Sequence, residues 1–125
     1  MIKTKPKIYI VDDDESVRIA LSRLIKSSGY IAEIFNSAQS FLDSIPPDTR
    51  GILILDIRMP DIDGFQVQKK LNALYSKLQI IFITAHAQSG DRERAMEAGA
   101  KGFLQKPFSE ESLLDLINSI TFERR

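Results

Sequence analysis

The sequence predicts an α/β protein with a doubly wound, five-stranded parallel sheet in the strand order 2-1-3-4-5. Three observations support this fold. Five short apolar runs alternate with stretches of helical period, as in successive βα units. The first, third and fourth runs are apolar throughout, which is typical of strands that helices cover on both faces. The second run contains Glu33 and therefore suits an edge of the sheet.

The apolar runs place the strands. We expect them near residues 7–11, 31–35, 51–55, 79–84 and 101–105. Right-handed crossovers between these strands leave the first and third as neighbours, with the direction of winding reversing between them. In such sheets ligands bind beyond the carboxyl ends of the strands at this reversal. The residues that directly follow the strands are therefore the candidates for a functional site.

Helices fill the intervals between the strands, at roughly 15–28, 38–44, 65–75, 91–98 and 110–122. Gly29 and Gly99 follow the first and fourth helices and are typical of helix ends. Pro46 and Pro47 stop the second helix. Asp14 and Ser109 are placed to cap the first and last helices at their N-termini.

Composition limits the possible classes of protein. A chain of 125 residues is about one domain, taken as 1–125, with an ordinary globular composition of 43% hydrophobic and 27% charged residues. Its 17 basic and 17 acidic residues give no net charge with which to attract nucleic acid or an anionic membrane. The absence of cysteine excludes disulfides and thiolate metal sites. No apolar run approaches the length of a membrane span, so we expect a cytoplasmic protein.

Acidic residues follow two neighbouring strands. Asp12 and Asp13 come directly after the first strand, and Asp56 comes after the third. Three carboxylates at one end of a sheet would resist full ionisation unless a cation lay among them. Thr84 and Lys106 follow the fourth and fifth strands and add a hydroxyl and an ammonium group. The crevice is therefore expected to hold a divalent metal.

These residues together resemble the receiver domains of two-component response regulators, which have a flavodoxin-like fold. The resemblance covers nearly the whole chain. It rests on Val11-Asp12-Asp13, Asp56-Ile57-Arg58-Met59-Pro60 with Gly64, Thr84-Ala85, Ala98-Gly99-Ala100 and Lys106-Pro107-Phe108. Each piece alone is a weak signal. Their occurrence in this order at the ends of successive strands is a strong one.

The resemblance implies a role for each residue of the crevice. Asp56 would be the phosphoacceptor, and Thr84 and Lys106 would contact the phosphate. Mg²⁺ would be held by Asp13, Asp56 and the backbone carbonyl of Arg58, with Asp12 bound through water. The chemistry agrees, because phosphoryl transfer chiefly needs positioned groups and neutralised charge, and Mg²⁺ prefers carboxylates, a carbonyl and retained waters. Asp56 suits the nucleophile because it stands alone at a strand end.

The resemblance also implies a route for the signal. It predicts a cis peptide bond between Lys106 and Pro107, which would turn Lys106 towards the crevice. Thr84 would move towards the phosphate, and Phe103 would fill the space behind it, although Phe103 is equally consistent with an ordinary core aromatic. The altered surface would be helix four, strand five and helix five, roughly residues 87–120.

Three other classes of protein are compared with this interpretation. A haloacid-dehalogenase-type phosphatase also uses a nucleophilic Asp with Mg²⁺, but expects an acid where this chain has Arg58. A flavodoxin-like electron carrier needs a phosphate loop rich in Ser, Thr and Gly, whereas the first loop here is Asp12-Asp13-Asp14-Glu15. An interaction domain that has lost the site is disfavoured because all of the site residues are present.

The resemblance implies partners as well. A sensor histidine kinase would donate the phosphoryl group, and a homodimer is expected on phosphorylation. The contexts Arg58-Met59-Pro60 and Thr84-Ala85-His86 look most like receivers joined to a LuxR-type helix-turn-helix. DNA would then be bound only by an output domain outside this chain, and no membrane is involved. A stand-alone receiver acting by protein contact is the alternative. Either is a switch that catalyses its own phosphorylation and dephosphorylation, not a turnover enzyme.

Overall fold

The computed structural model describes residues 5–74 and 76–122. Within this part of the chain, five strands alternate with five helices. The strands are β1 (Ile8–Val11), β2 (Ala32–Phe35), β3 (Arg50–Asp56), β4 (Lys77–Thr84) and β5 (Gly102–Gln105). The helices are α1 (Glu15–Ser27), α2 (Ala38–Ser44), α3 (Gly64–Ala73), α4 (Asp91–Glu97) and α5 (Glu110–Thr121).

The strands form one parallel sheet in the order β2-β1-β3-β4-β5, which confirms the predicted fold. The charged strand β2 lies at an edge of the sheet and, among the residues described, pairs with β1 alone. Val11 of β1 is in register with Leu55 of β3, so the chain enters the loop after β1 beside Asp56. Thr84 of β4 is in register with Gln105 of β5, which places Lys106 at the same end of the sheet.

The core consists of two apolar layers, one on each face of the sheet. Because side chains alternate along a strand, Leu53 and Leu55 contribute to one layer while Ile52 and Ile54 contribute to the other. All four are fully buried. Each side chain of this size stabilises the fold by about 1.5–3 kcal/mol relative to an exposed position. The strands that carry the site are therefore buried on both faces of the sheet.

Side chains at the helix starts satisfy backbone N–H groups there. Asp14 accepts hydrogen bonds from the backbone N–H groups of Ser16 and Val17, and Ser109 accepts one from Ser112, as predicted. Helix α3 starts with a reciprocal pair that was not predicted from the sequence, in which Asp63 and Gln66 cap each other's backbone N–H groups. Such caps stabilise a helix by about 1 kcal/mol. Each cap sets the residue at which a loop ends and a helix begins.

Several boundaries differ from those predicted. Strands β3 and β4 begin earlier than their apolar runs, because backbone pairing continues to Arg50 and Lys77 in spite of their charge. Helix α3 begins at Gly64 and ends at Ala73, and the predicted end at Tyr75 lies outside the described residues. None of the helices in the described ranges is long and apolar enough to cross a membrane.

Candidate functional site

The candidate site lies beyond the carboxyl ends of β1, β3, β4 and β5. The structure brings together the predicted residues Asp12, Asp13, Asp56 and Lys106, which line a cavity of about 240 Å³. Asp14, Arg58, Ala85 and His86 complete its lining. Asp12 and Asp56 are buried, at 0% and 6% exposure, whereas Asp13 is exposed. The cavity is therefore polar and acidic at its base and open at its rim.

The three carboxylates form a cluster suited to a metal ion. One oxygen atom from each of Asp12, Asp13 and Asp56 lies within 4.8 Å of the other two. Asp13 and Asp56 would hold a divalent cation here, with Asp12 beside it, and the ion would supply positive charge at the end of the sheet. Hard oxygen ligands of this kind fit Mg²⁺.

Hydrogen bonds constrain Asp12 more than the other two acids. One of its carboxylate oxygens accepts from the backbone N–H of Asp14 at 2.9 Å, and the other accepts from the Lys106 ammonium at 2.8 Å. Asp56 accepts one longer bond, from the backbone N–H of Arg58 at 3.3 Å. Its other oxygen lies 3.7 Å from the Lys106 ammonium. Asp56 thus has more capacity for a new bond than Asp12.

Burial and charge shift the ionisation of the site. Burial, followed by the charge of Asp12, raises the pKa of Asp56 to about 6, although Lys106 acts in the opposite direction. Burial alone would lower the pKa of Lys106, but the hydrogen bond and charge of Asp12, with Asp56, outweigh burial and raise that pKa. At neutral pH Asp56 is therefore mostly ionised and Lys106 carries an ammonium charge. A bound cation would favour the ionised form of Asp56 further.

Gly64 lets the backbone pack closely behind Asp56. A Cβ atom at this position would lie 2.9 Å from the Asp56 carbonyl oxygen and 2.9 Å from the Phe82 ring. The backbone N–H of Gly64 donates to the carbonyl of Ile57 at 2.8 Å. Any side chain here would push α3 away from the end of β3. Gly64 thus fixes the position of the strand end that carries Asp56.

The two residues predicted to form the switch, Thr84 and Phe103, lie on the adjacent strands β4 and β5. Thr84 is fully buried, and its hydroxyl oxygen accepts from the backbone N–H of His86 at 3.2 Å. Phe103 is partly buried against the core layer that contains Phe82, its partner in register across β4 and β5. The bond between Lys106 and Pro107 is cis. These positions are compatible with either role considered for Phe103, core aromatic or switch side chain.

Two contacts at the site were not predicted from the sequence. Arg18 of α1 donates to the backbone carbonyl of Asp12 at 2.7 Å. Arg58 pairs with Asp91 at 2.7 Å, which joins the loop after β3 to the start of α4. Helical side chains lean towards the N-terminus of their helix, so Arg18 could have been expected to reach back to this loop. No sequence signal pairs Arg58 with a residue 33 positions away.

The family model of the response regulator receiver domain matches residues 8–118. The chain belongs to this family. It is therefore a receiver domain of the response-regulator type. The family match confirms the resemblance seen in the sequence, and it gives no support to the phosphatase alternative.

Individual relatives agree with this family. The receiver domain is 45% identical over 112 residues to the response regulator protein TodT of Pseudomonas putida, covering 90% of this chain and 49% of that protein. It is 38% identical over 116 residues to the transcriptional regulatory protein FixJ of Bradyrhizobium diazoefficiens, covering 93% and 57% respectively. The chain therefore spans about half the length of these relatives.

Solved structures show the same fold. The response regulator StyR superposes with a TM-score of 0.87 at 44% identity, covering 94% of this chain and 60% of that one. FixJ-N superposes with a TM-score of 0.86 at 32% identity, covering 98% of both chains. This chain and the solved FixJ-N chain therefore match over nearly their whole lengths.

Proposed function

We propose that this receiver domain is switched by transfer of a phosphoryl group from a phosphohistidine of a sensor kinase to Asp56. The observation that carries the proposal is the placement of Asp56. It is a buried carboxylate that borders the cavity, with two acids and an ammonium group around it. This combination provides a nucleophile, a cation site and a positive charge within one crevice.

In the transfer, an Asp56 carboxylate oxygen attacks phosphorus, an oxygen–phosphorus bond forms and the nitrogen–phosphorus bond to the kinase histidine breaks. The departing imidazole takes a proton from solvent. Asp12, Asp13, Asp56 and the backbone carbonyl of Arg58 would hold Mg²⁺. When bound, Mg²⁺ supplies positive charge that offsets the charge on the transferring oxygens. Lys106, held by Asp12 at 2.8 Å, supplies further positive charge from the side of β5.

Asp56 is favoured as the nucleophile over both other acids. Asp12 is fully buried and each of its oxygens already accepts a hydrogen bond. Asp13 is exposed and suits direct contact with the cation. The raised pKa of Asp56, about 6, also implies a carboxylate that burial leaves poorly solvated. A poorly solvated anion loses little hydration when it attacks.

The phosphoryl group on Asp56 would act on Thr84. The Thr84 hydroxyl now accepts from the backbone N–H of His86, and it would donate to a phosphoryl oxygen after phosphorylation. Movement of Thr84 would vacate space that Phe103 can fill from the adjacent strand. The surface formed by α4, β5 and α5 would then change and form a homodimer. A switch of this kind needs two discrete packings that the phosphate distinguishes.

The output is proposed to be control of transcription. FixJ is a transcriptional regulatory protein by its name, and this chain matches 57% of its length. We propose that residues 1–125 form one receiver domain that precedes a LuxR-type DNA-binding output domain. DNA would be bound by that domain alone, since the receiver domain has no net charge. In this role the domain is a signalling switch, not a turnover enzyme.

Incubation with acetyl phosphate and Mg²⁺ tests the proposal. Intact-mass spectrometry should find one added phosphoryl group on the wild-type protein and none on Asp56→Asn. Asp48→Asn, which changes an exposed acid away from the cavity, is the matched control and should be phosphorylated like the wild type. Equal phosphorylation of Asp56→Asn and the wild type would contradict the assignment.

A further inference from the structure

An ion pair crosses from the phosphoacceptor loop to the start of α4. The Arg58 guanidinium lies 2.7 Å from a carboxylate oxygen of Asp91. The same oxygen accepts from the backbone N–H of Gln88 at 2.8 Å. Arg58 is two residues beyond Asp56, and Asp91 is the first residue of α4. The pair therefore links the loop that carries the reaction to the element that begins the proposed output surface.

Both members of this pair have a reason to be held where they are. The Asp91 side chain is 10% exposed, so a charge there is poorly solvated and depends on its partners. The Arg58 side chain is 35% exposed and Arg58 lines the same cavity as Asp56 and His86. Guanidinium groups bind phosphate and carboxylate oxygens in the same geometry. A phosphoryl group in this cavity is thus a competing ligand for Arg58.

We propose that Asp91 is a positioning residue that holds Arg58 away from the phosphoacceptor until Asp56 is phosphorylated. This inference rests on the proposed role of Asp56. The phosphoryl group draws the Arg58 guanidinium from Asp91 towards Asp56, and Asp91 then keeps the Gln88 N–H as a partner. The start of α4 and the loop before it are then released. The exchange couples phosphorylation to α4 by a route separate from Thr84.

If Asp91 and the phosphoryl group compete for the Arg58 guanidinium, a double-mutant cycle at Arg58 and Asp91 should detect the competition. Beryllofluoride with Mg²⁺ serves as the phosphoryl mimic, and its dissociation constant is measured from amide chemical shifts. Asp91→Asn keeps an acceptor for the Gln88 N–H but removes the charge, so it should tighten beryllofluoride binding about fivefold, within the range of coupling between sites in proteins. The same substitution should have no effect in an Arg58→Ala background. Glu93→Gln, an exposed acid in the first turn of α4, controls for charge at the helix start and should bind as the wild type does.

A second measurement is made on the wild-type protein, so it does not depend on the folding of any variant. The Arg58 side-chain Nε–H resonance and the Gln88 amide should both shift when beryllofluoride saturates the protein. An unshifted Arg58 resonance would overturn the inference. It would also be overturned by weaker binding in Asp91→Asn, or by an equal effect of Asp91→Asn with and without Arg58. Failure of the wild type to bind beryllofluoride would overturn both the inference and the proposed function, whereas binding without dependence on Arg58 would overturn the inference alone.

Discussion

Replacement of Asp56 by Asn should stabilise the metal-free protein at neutral pH. Asp56 is 6% exposed, and burial together with the charge of Asp12 raises its pKa to about 6. An Asp in an unfolded chain has a pKa of about 3.9. The folded protein therefore binds the Asp56 proton more tightly than the unfolded chain does. Stability from this group is present below about pH 4 and is lost as the pH rises towards 6.

The size of the effect follows from the two pKa values. The difference between pKa values of about 6 and about 3.9 lowers the free energy of unfolding by roughly 3 kcal/mol above pH 6, since each tenfold change in proton affinity is about 1.4 kcal/mol. An Asn at this position has no charge to desolvate. It does give up the attraction to the Lys106 ammonium, 3.7 Å from Asp56. We therefore expect Asp56→Asn to raise the free energy of unfolding by about 1–3 kcal/mol at pH 7.5.

Urea unfolding followed by circular dichroism measures this difference, with a chelator present to remove metal. The gain should be largest near pH 7.5 and should disappear as the pH falls to 4, where the carboxyl group of the wild type is protonated in the folded state. Asp48→Asn, at an exposed position, should show little gain at either pH. The reasoning would be refuted by an Asp56→Asn variant no more stable than the wild type at pH 7.5, or by a gain that persists undiminished at pH 4.

Further substitutions separate the roles of Asp13, Lys106 and Thr84. Asp13→Ala should abolish detectable Mg²⁺ binding in calorimetry, and an unchanged titration would place the metal elsewhere. Asp14→Ala removes the side chain that caps α1, so it should lower stability, and it should weaken Mg²⁺ binding far less than Asp13→Ala does. Lys106→Ala should retain some phosphorylation by acetyl phosphate but lose the phosphorylation-dependent change in amide exchange over residues 87–120. A change in exchange equal to that of the wild type would show that the Lys106 ammonium does not couple the site to that surface. Thr84→Ala should be phosphorylated but should not show the change in amide exchange over residues 87–120, whereas Thr84→Ser should show it. A phosphorylation-dependent change in exchange in Thr84→Ala would exclude the route through Thr84.

The parts of the fold that the sequence predicted are those set by burial. Strands such as Ile52-Leu53-Ile54-Leu55 must be covered on both faces, and that requirement alone indicates a parallel sheet with helices on each side. The charge in β2 then places that strand at the edge. Because the carboxyl ends of parallel strands meet at one edge, the same pattern brings Asp12, Asp56 and Lys106 together.

The parts that the sequence did not predict depend on contacts between elements far apart in the chain. The pairing of Arg58 with Asp91 requires the loop after β3 and the start of α4 to meet at hydrogen-bond distance, which periodicity does not encode. The sequence predicted that the neighbouring carboxylates would resist ionisation, but the largest cause of the raised pKa of Asp56 is burial, which depends on how deeply the strand end lies in the fold. Strand ends such as Lys77 were missed because backbone pairing, not side-chain hydrophobicity, extends the ladder there.

The location of the phosphoryl group tests the central claim most directly. The receiver domain would be phosphorylated by acetyl phosphate with Mg²⁺, and the acyl phosphate would then be reduced with borohydride, which converts the modified Asp to homoserine. Tandem mass spectrometry of the peptides should find homoserine at position 56 alone. Homoserine at position 12 or 13 as the main product would contradict the assignment of Asp56 as the phosphoacceptor.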